Sequence, residues 1–245
     1  MDKHKRNLIR ALLVLLFAAV AFAATAQTQP PKPENLPKWE NINVFAVVSE
    51  NIETAFKEAA TTLKAEEEID SFPNQGFQIH CTLYMTQYPE GSKDQVLAKI
   101  EEFAKTTRQF PITTTGLEIT SGNWFFMNLD RNRNLQTLSD AVVQLLSPLR
   151  LKSDFVPEWA KAFPNKLEYI KKFGSPNVYD EFNPHLTFLA KAEAEKLNNF
   201  LENHENSTFA KPVEGKIVGI GVGIAGRSGQ VAEPWKIFEL QPAEQ

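Results

Sequence analysis

The chain has 245 residues, 42% of them hydrophobic and eighteen of them Phe, with a formal charge of −4. That length suits one large domain or two small packed lobes with a sizeable core. The negative balance excludes a protein that coats nucleic acid by bulk electrostatics, which needs Lys and Arg clustered against many phosphates, but it leaves room for a small anionic ligand held in a local pocket.

Lys3, His4, Lys5, Arg6 and Arg10 make a basic start, followed by an apolar run from Ala11 to Ala24 and small residues at Ala21-Phe22-Ala23 or Ala24-Thr25-Ala26. This is the layout of a secretory signal over residues 1–26. The run falls short of the roughly 20 apolar residues that a membrane span needs. An uncleaved N-terminal anchor is the other reading. The expectation is an exported protein, periplasmic or secreted, with no stable membrane span in its mature form. Residues 27–40 read as a Pro-rich linker. The lone Cys81 excludes an internal disulfide, so the core alone must stabilise the mature chain.

From residue 41 short apolar runs alternate with amphipathic stretches. Ile42–Ser49 reads as a buried strand, and Ile52–Lys64 carries apolar residues at helical spacing. Phe77–Gln87 is a second strand. Ser92, with Gln95 three residues on, reads as the cap of a helix whose apolar stripe includes Val96, Ile100 and Ala104. Phe110–Thr120 and Trp124–Leu129 form a hairpin. A helix from Asn134 to Leu149, a strand Pro184–Ala190, a helix Ala192–Asn203 and closing strands Lys216–Ala225 and Trp235–Leu240 complete the order. Such an order predicts an α+β fold with two similar lobes, each a small, mostly antiparallel sheet with outer helices, making one bilobal domain over residues 41–240. An extra segment at about 152–183 is long for a plain connection. Within it Pro164 starts a short helix that Gly174 ends.

Two strands share a local pattern. In Gln78-Ile79-His80-Cys81-Thr82-Leu83-Tyr84-Met85-Thr86, side-chain alternation puts Gln78, His80, Thr82, Tyr84 and Thr86 on one face. Cys81 falls among the apolar residues of the other face, as a small buried hydrophobe rather than a nucleophile. In Pro184-His185-Leu186-Thr187-Phe188, His185 and Thr187 again share a face. A single His-x-Thr says little. Two copies, in matching contexts, mark a paired site.

These motifs, in the stretches IHCTLYMT and FNPHLTFLAKAE, resemble the two-histidine (2H) phosphoesterase superfamily, and most closely its bacterial RNA 2′,5′-ligase and 2′,3′-cyclic phosphodiesterase branch. The resemblance implies a pseudo-twofold fold with both motifs lining a central cleft, with His80 and His185 catalytic and Thr82 and Thr187 as phosphate ligands. Tyr84, on the motif face, is expected to line the substrate pocket. The chain departs from the branch in Ala190-Lys191, where an arginine is common, and in its longer 152–183 segment.

Opening a cyclic phosphodiester needs one group to take a proton from water and another to give one to the leaving oxygen. Imidazole suits both tasks near neutrality. Hydroxyls two residues after each His can donate to the non-bridging oxygens. The expected activity is therefore metal-independent hydrolysis of 2′,3′-cyclic phosphates on nucleotides or RNA ends, without a cofactor. A non-catalytic nucleotide- or RNA-end-binding module using the same cleft is the alternative, and a two-His metal site a weaker one. Which His is acid, and the oligomeric state, stay open.

Other features receive plainer readings. Gly219, Gly221 and Gly223 alternate within a strand, where they admit a ligand or neighbouring chain rather than forming a dinucleotide loop. Arg227 and Ser228 are candidate phosphate contacts. Glu66 to Glu68 with Asp70 reads as a solvated helix end and His204 as surface. Phe45, Trp159 and Tyr179 are candidates to stack on a base.

Overall fold

The computed structural model describes residues 38–153, 156 and 158–243, with the side chains of 158 and 159 left aside. The expected signal at residues 1–26, most of the 27–40 linker and the Trp159 side chain therefore lie outside the described residues.

Alternating apolar residues make β1, Trp39–Val48, which buries Ile42, Val44, Ala46 and Val48. Helix α1, Glu50–Glu67, buries the expected set Ile52, Ala55, Phe56, Ala59, Ala60 and Leu63. The remaining elements follow the predicted order: β2 (Cys81–Pro89), α2 (Lys93–Ala104), β3 (Phe110–Ile119), β4 (Phe125–Leu129), α3 (Arg133–Leu146), α4 (Pro164–Phe173), β5 (His185–Leu189), α5 (Ala194–His204), β6 (Glu214–Ala225) and β7 (Val231–Glu239). Capping departs from the expectation at α2. The Ser92 side chain makes no cap bond and donates to the Pro89 carbonyl instead. At α3 the cap is Asn132, whose side chain accepts from the Leu135 N–H at 3.0 Å.

The named strands pair antiparallel throughout, as expected. β2, β1, β6 and β7 form one half and β5, β4 and β3 the other. The two halves are hydrogen-bonded into one seven-stranded sheet at two narrow seams. One is the single pair Cys81–Leu186, and the other runs from Phe110–Ile217 to Thr113–Glu214. Since β6 also pairs with β1, six of the strands close a ring. Helices pack on the apolar side: α1 against β6 and α5, α2 against β7 and α3, and α3 against β2. Their shared core includes Phe56, Phe125, Phe188 and Phe200.

A bulge in β2 decides which residues reach the site. Val44 pairs with Tyr84 and Phe45 with Thr82, so Leu83 has no partner on β1. An extra residue inverts the alternation downstream of it. Tyr84, Thr86 and Tyr88 therefore turn to the buried side, while Met85 turns to the cavity. The placing of Tyr84 in the pocket is corrected on this ground. It is 1% exposed, and its hydroxyl donates to the Phe173 carbonyl at 2.5 Å.

That inverted row anchors the 152–183 segment. Pro164 and Gly174 bound α4 as expected, Gly174 in the left-handed conformation with φ 73°. Tyr84 and Thr86 donate to the carbonyls of Phe173 and Gly174, and Arg150 donates to those of Lys171 and Lys172. The last-turn carbonyls of α4, orphaned by helix geometry, are thus taken up by β2 and Arg150. A Cβ at Gly174 would sit 2.3 Å from Thr86 Oγ1, so only glycine fits this joint.

The bulge is itself held by α3: buried Ser139 donates its hydroxyl to the Leu83 carbonyl at 3.0 Å. Ser139→Ala leaves that carbonyl unpaired inside the core, and an unpaired buried group costs about 1–3 kcal/mol. Urea denaturation of the variant should show a stability loss of that size with an unchanged slope.

Candidate active site

The Cys81–Leu186 pair sets the geometry of the site. Because the strands run antiparallel, one step either way brings Thr82 across from His185 and His80 across from Thr187. All four lie on the face opposite Cys81 and Leu186, and all four line one cavity of about 410 Å³. Side chains across such a lattice stand about 5 Å apart and diagonal ones, like the two histidines, about 7–8 Å apart. That diagonal leaves room for a tetrahedral group between the imidazoles.

Each ring is fixed in the same way. His80 Nδ1 donates to the Gln78 carbonyl at 2.8 Å, and His185 Nδ1 to the Asn183 carbonyl at 2.8 Å. A carbonyl only accepts, so in the neutral rings Nδ1 carries the hydrogen and Nε2 the lone pair. Each ring also rests on a phenylalanine from the next strand. Phe45 of β1 lies 5.0 Å from His80, and Phe126 of β4 stacks on His185 at 3.8 Å and 19°. Phe45 pairs with Thr82 and Phe126 with Thr187, so the two supports are pseudo-symmetric. Phe45 is fully buried and reaches its place because Gly221 lies beneath it. A Cβ at Gly221 would meet the Phe45 ring at 2.2 Å. The neighbour admitted by the glycine face is this ring, so Phe45 supports the His80 imidazole rather than stacking on a base.

Asn43, which the sequence reading passed over, completes the first motif. It is 0% exposed, and its Nδ2 lies 3.1 Å from His80 Nε2, 3.0 Å from Thr82 Oγ1 and 3.2 Å from the Gly229 carbonyl. The available signal was a lone amide within the apolar run Ile42-Asn43-Val44-Phe45-Ala46. No such amide is bonded to His185 among the described residues.

The cavity walls come from loops. Phe72, Phe77 and Gln78 precede β2, Trp124 lies in the β3–β4 turn, Lys166 and Asn177 belong to the 152–183 segment, and Arg227 to Gln230 form the β6–β7 turn. Arg227 and Ser228 thus line the same cavity as the two motifs. Lys166 donates to Asn177 Oδ1 at 2.7 Å and lies 3.6 Å from Glu181. Tyr179 does not line this cavity; it packs with Tyr169 and Phe173 beside α4. His204 is not a free surface group either. Its Nε2 meets Glu66 at 2.7 Å, and its ring packs on Phe200 and Phe209.

Burial is the main cause that lowers the pKa of both histidines. It holds His80 below the usual imidazole value against the opposing carbonyls of Gln78 and Gly229. It brings His185 down to about 4, with the nearby His80 adding to the depression. Among the described residues, Lys166 and Arg227 are the charged ones lining the cavity besides the histidines, and no carboxylate lines it. Both imidazoles are therefore neutral at pH 7 in a cavity rimmed by cations, ready for an anion that arrives with or induces a proton. Burial raises the Cys81 thiol to about 12, which keeps it inert. Among the described residues no group of three His, Cys, Asp or Glu side chains is placed to hold a metal ion. No described helix is long and apolar enough to cross a membrane.

A model of the family described as the 2′-5′ RNA ligase superfamily matches residues 52–222, a stretch containing both His-x-Thr motifs. No curated protein matches the chain significantly. Similar solved structures include TT0787 of Thermus thermophilus, 18% identical, covering 83% of this chain and 100% of its own, with a TM-score of 0.49. Ligand-free LigT of E. coli is 12% identical over 83% of this chain and 99% of its own, with a TM-score of 0.47.

The depressed imidazoles carry a stability signature. At His185 the unfolded chain takes up its proton near pH 6.5 and the folded one only near pH 4, so unfolding binds a proton between those values, and the lowered His80 acts in the same direction. Stability is therefore full above about pH 6.5 and is lost as pH falls toward 4. Urea melts at pH 7 and 4.5 should differ by on the order of 2 kcal/mol more in the wild type than in His185→Asn.

Proposed function

The chain belongs to the 2′-5′ RNA ligase superfamily, and from that premise we propose that it is a metal-independent phosphoesterase that hydrolyses 2′,3′-cyclic phosphates of nucleotides or RNA ends. One observation carries the reading: two imidazoles with unprotonated Nε2 atoms and two threonine hydroxyls share one face around the Cys81–Leu186 pair, in a cavity lined by Lys166 and Arg227.

In this reading the cyclic phosphate lies between the rings. One imidazole takes a proton from the attacking water as its oxygen bonds to phosphorus. The other gives a proton to the ribose oxygen as the P–O bond to it breaks, leaving a phosphomonoester and a free hydroxyl. Thr82 and Thr187 donate to the non-bridging oxygens, where charge is greatest. Lys166 and Arg227 attract the anion into a cavity that no carboxylate lines among the described residues. Phe72, Phe77 and Trp124 give the cavity aromatic surface against which a base can lie.

The N-terminal layout supports a further inference, that the mature protein works outside the cytoplasm. N-terminal sequencing of the protein from extracytoplasmic fractions should then begin just after Ala23 or Ala26. Protein found only in the cytoplasm with residues 1–26 intact overturns that part.

Turnover of 2′,3′-cyclic nucleotides by the purified protein should persist in EDTA and fall about 10²–10⁴-fold in His80→Ala and in His185→Ala. Because burial lowers the pKa of both rings, the protonated acid is lost at lower pH than usual. The kcat/KM optimum of the free enzyme should lie on the acid side of about 6.5, with activity falling as pH rises above it. Saturable nucleotide binding without turnover across pH 4–8 would point instead to a binding module, and dependence on added metal would overturn the mechanism.

A further inference from the structure

The two histidine motifs match in tautomer, in ring support and in register, yet among the described residues only the first has a side-chain amide bonded to its ring. We propose that Asn43 is a positioning residue that breaks the pseudo-twofold equivalence of the histidines. It keeps His80 unprotonated at Nε2 as the proton acceptor, turns the Thr82 hydroxyl outward as a donor, and leaves His185 as the proton donor. The assignment of roles rests on the phosphoesterase reading above; the effect of Asn43 on His80 does not.

The orientation of the amide follows from its partners. The Gly229 carbonyl can only accept, so Nδ2, 3.2 Å away, must be the atom that faces it. The same nitrogen faces His80 Nε2 at 3.1 Å and Thr82 Oγ1 at 3.0 Å. His80 Nδ1 is already a donor to the Gln78 carbonyl, so a neutral ring meets the amide with its Nε2 lone pair. Two amide hydrogens serve three acceptors: one goes to Gly229, and the other is shared between His80 and Thr82. A proton on His80 Nε2 would confront that shared hydrogen.

Asn43 has a second effect through Gly229. The Gly229 carbonyl is close enough to His80 to favour a proton there, but Asn43 already occupies it with an N–H. Among the described residues the charged groups lining the cavity around His80 are His185 on β5, Lys166 on α4 and Arg227 in the β6–β7 turn. None of these is an anion that would favour imidazolium. Thr82 Oγ1, by accepting from Asn43, must aim its own hydrogen elsewhere, and the open direction is the cavity. The fold bears a cost for this arrangement, because Asn43 Oδ1 is buried without a hydrogen-bond partner in the protein. An orphaned atom on a fully buried amide beside a candidate catalytic ring is the kind of exception that marks function.

The test is a histidine-labelled NMR titration from pH 4 to 8 on the wild type, Asn43→Ala and Asn43→Asp, with His185→Asn used to assign the signals. The wild type should show His80 as the Nδ1–H tautomer. The His80 midpoint should rise by roughly one pH unit in Asn43→Ala, which frees the Gly229 carbonyl, and further in Asn43→Asp, whose carboxylate accepts the new proton. The His185 midpoint should move less than that of His80 in both. If the alanine variant does not fold, the near-isosteric aspartate variant alone reads the shift. A His80 midpoint that stays in place in a folded variant, or a larger movement of His185, overturns the proposal. With cyclic nucleotide as substrate, the acid limb of kcat/KM should move upward with the His80 midpoint while KM changes little. If no variant and no wild type turns over, the phosphoesterase reading fails, while the NMR shifts still decide the role of Asn43.

Discussion

The site depends on one pair of residues in antiparallel register. Cys81 and Leu186 join the two halves of the sheet, and both point into the core. Their neighbours must then point the other way, which puts both imidazoles and both threonine hydroxyls on one surface. A register slip of one residue at this seam would bury one motif. So narrow a seam is kept by what lies behind it. Phe56 and Phe125 stack on Phe188, and Phe125 meets Phe200 edge-on, which locks β4 and β5 to α1 and α5. The alignment of the two motifs is in this sense a property of the hydrophobic core.

Polarity within the cavity follows from the same burial. Desolvation keeps both rings neutral, and among the described residues Lys166, which also faces Glu181 at 3.6 Å, and Arg227 bring positive charge to a lining that contains no carboxylate. A site so arranged favours an anion and a proton together over either alone. The pseudo-symmetric supports, Phe45 under His80 and Phe126 under His185, hold the rings without offering a hydrogen bond that would compete with the ligand. Among the described residues, only Asn43 distinguishes the two sides with a side-chain contact to a ring nitrogen.

The 152–183 segment joins this surface by a route that alternation alone does not reveal. Its helix α4 ends on hydroxyls that the bulge at Leu83 turned away from the cavity. Its other residues, Lys166 and Asn177, return to the cavity wall. One inserted residue in β2 thus both removes Tyr84 from the pocket and creates the dock for the segment that supplies its lysine. Ser139 on α3 holds the bulge carbonyl and ties the arrangement to the core.

Much of this was legible in the sequence, because local periodicity reports what each element buries. The apolar spacing in α1, the Pro164 and Gly174 boundaries of α4, the order of strands and the pairing of His80-x-Thr82 with His185-x-Thr187 all depend on neighbours along the chain. What required the tertiary structure depends on neighbours across it. Leu83 carries no local mark of being unpaired, so Tyr84 read as a pocket residue. Asn43 gains its meaning from three partners: His80 just before β2, Thr82 on β2 and Gly229 in the β6–β7 turn. Gly221 is explained only by the ring of Phe45, and His204 only by Glu66 from another helix. Side-chain direction over a regular strand is set by backbone geometry and can be read from residue order, whereas a bulge, a support or a shared hydrogen exists only once distant segments have met.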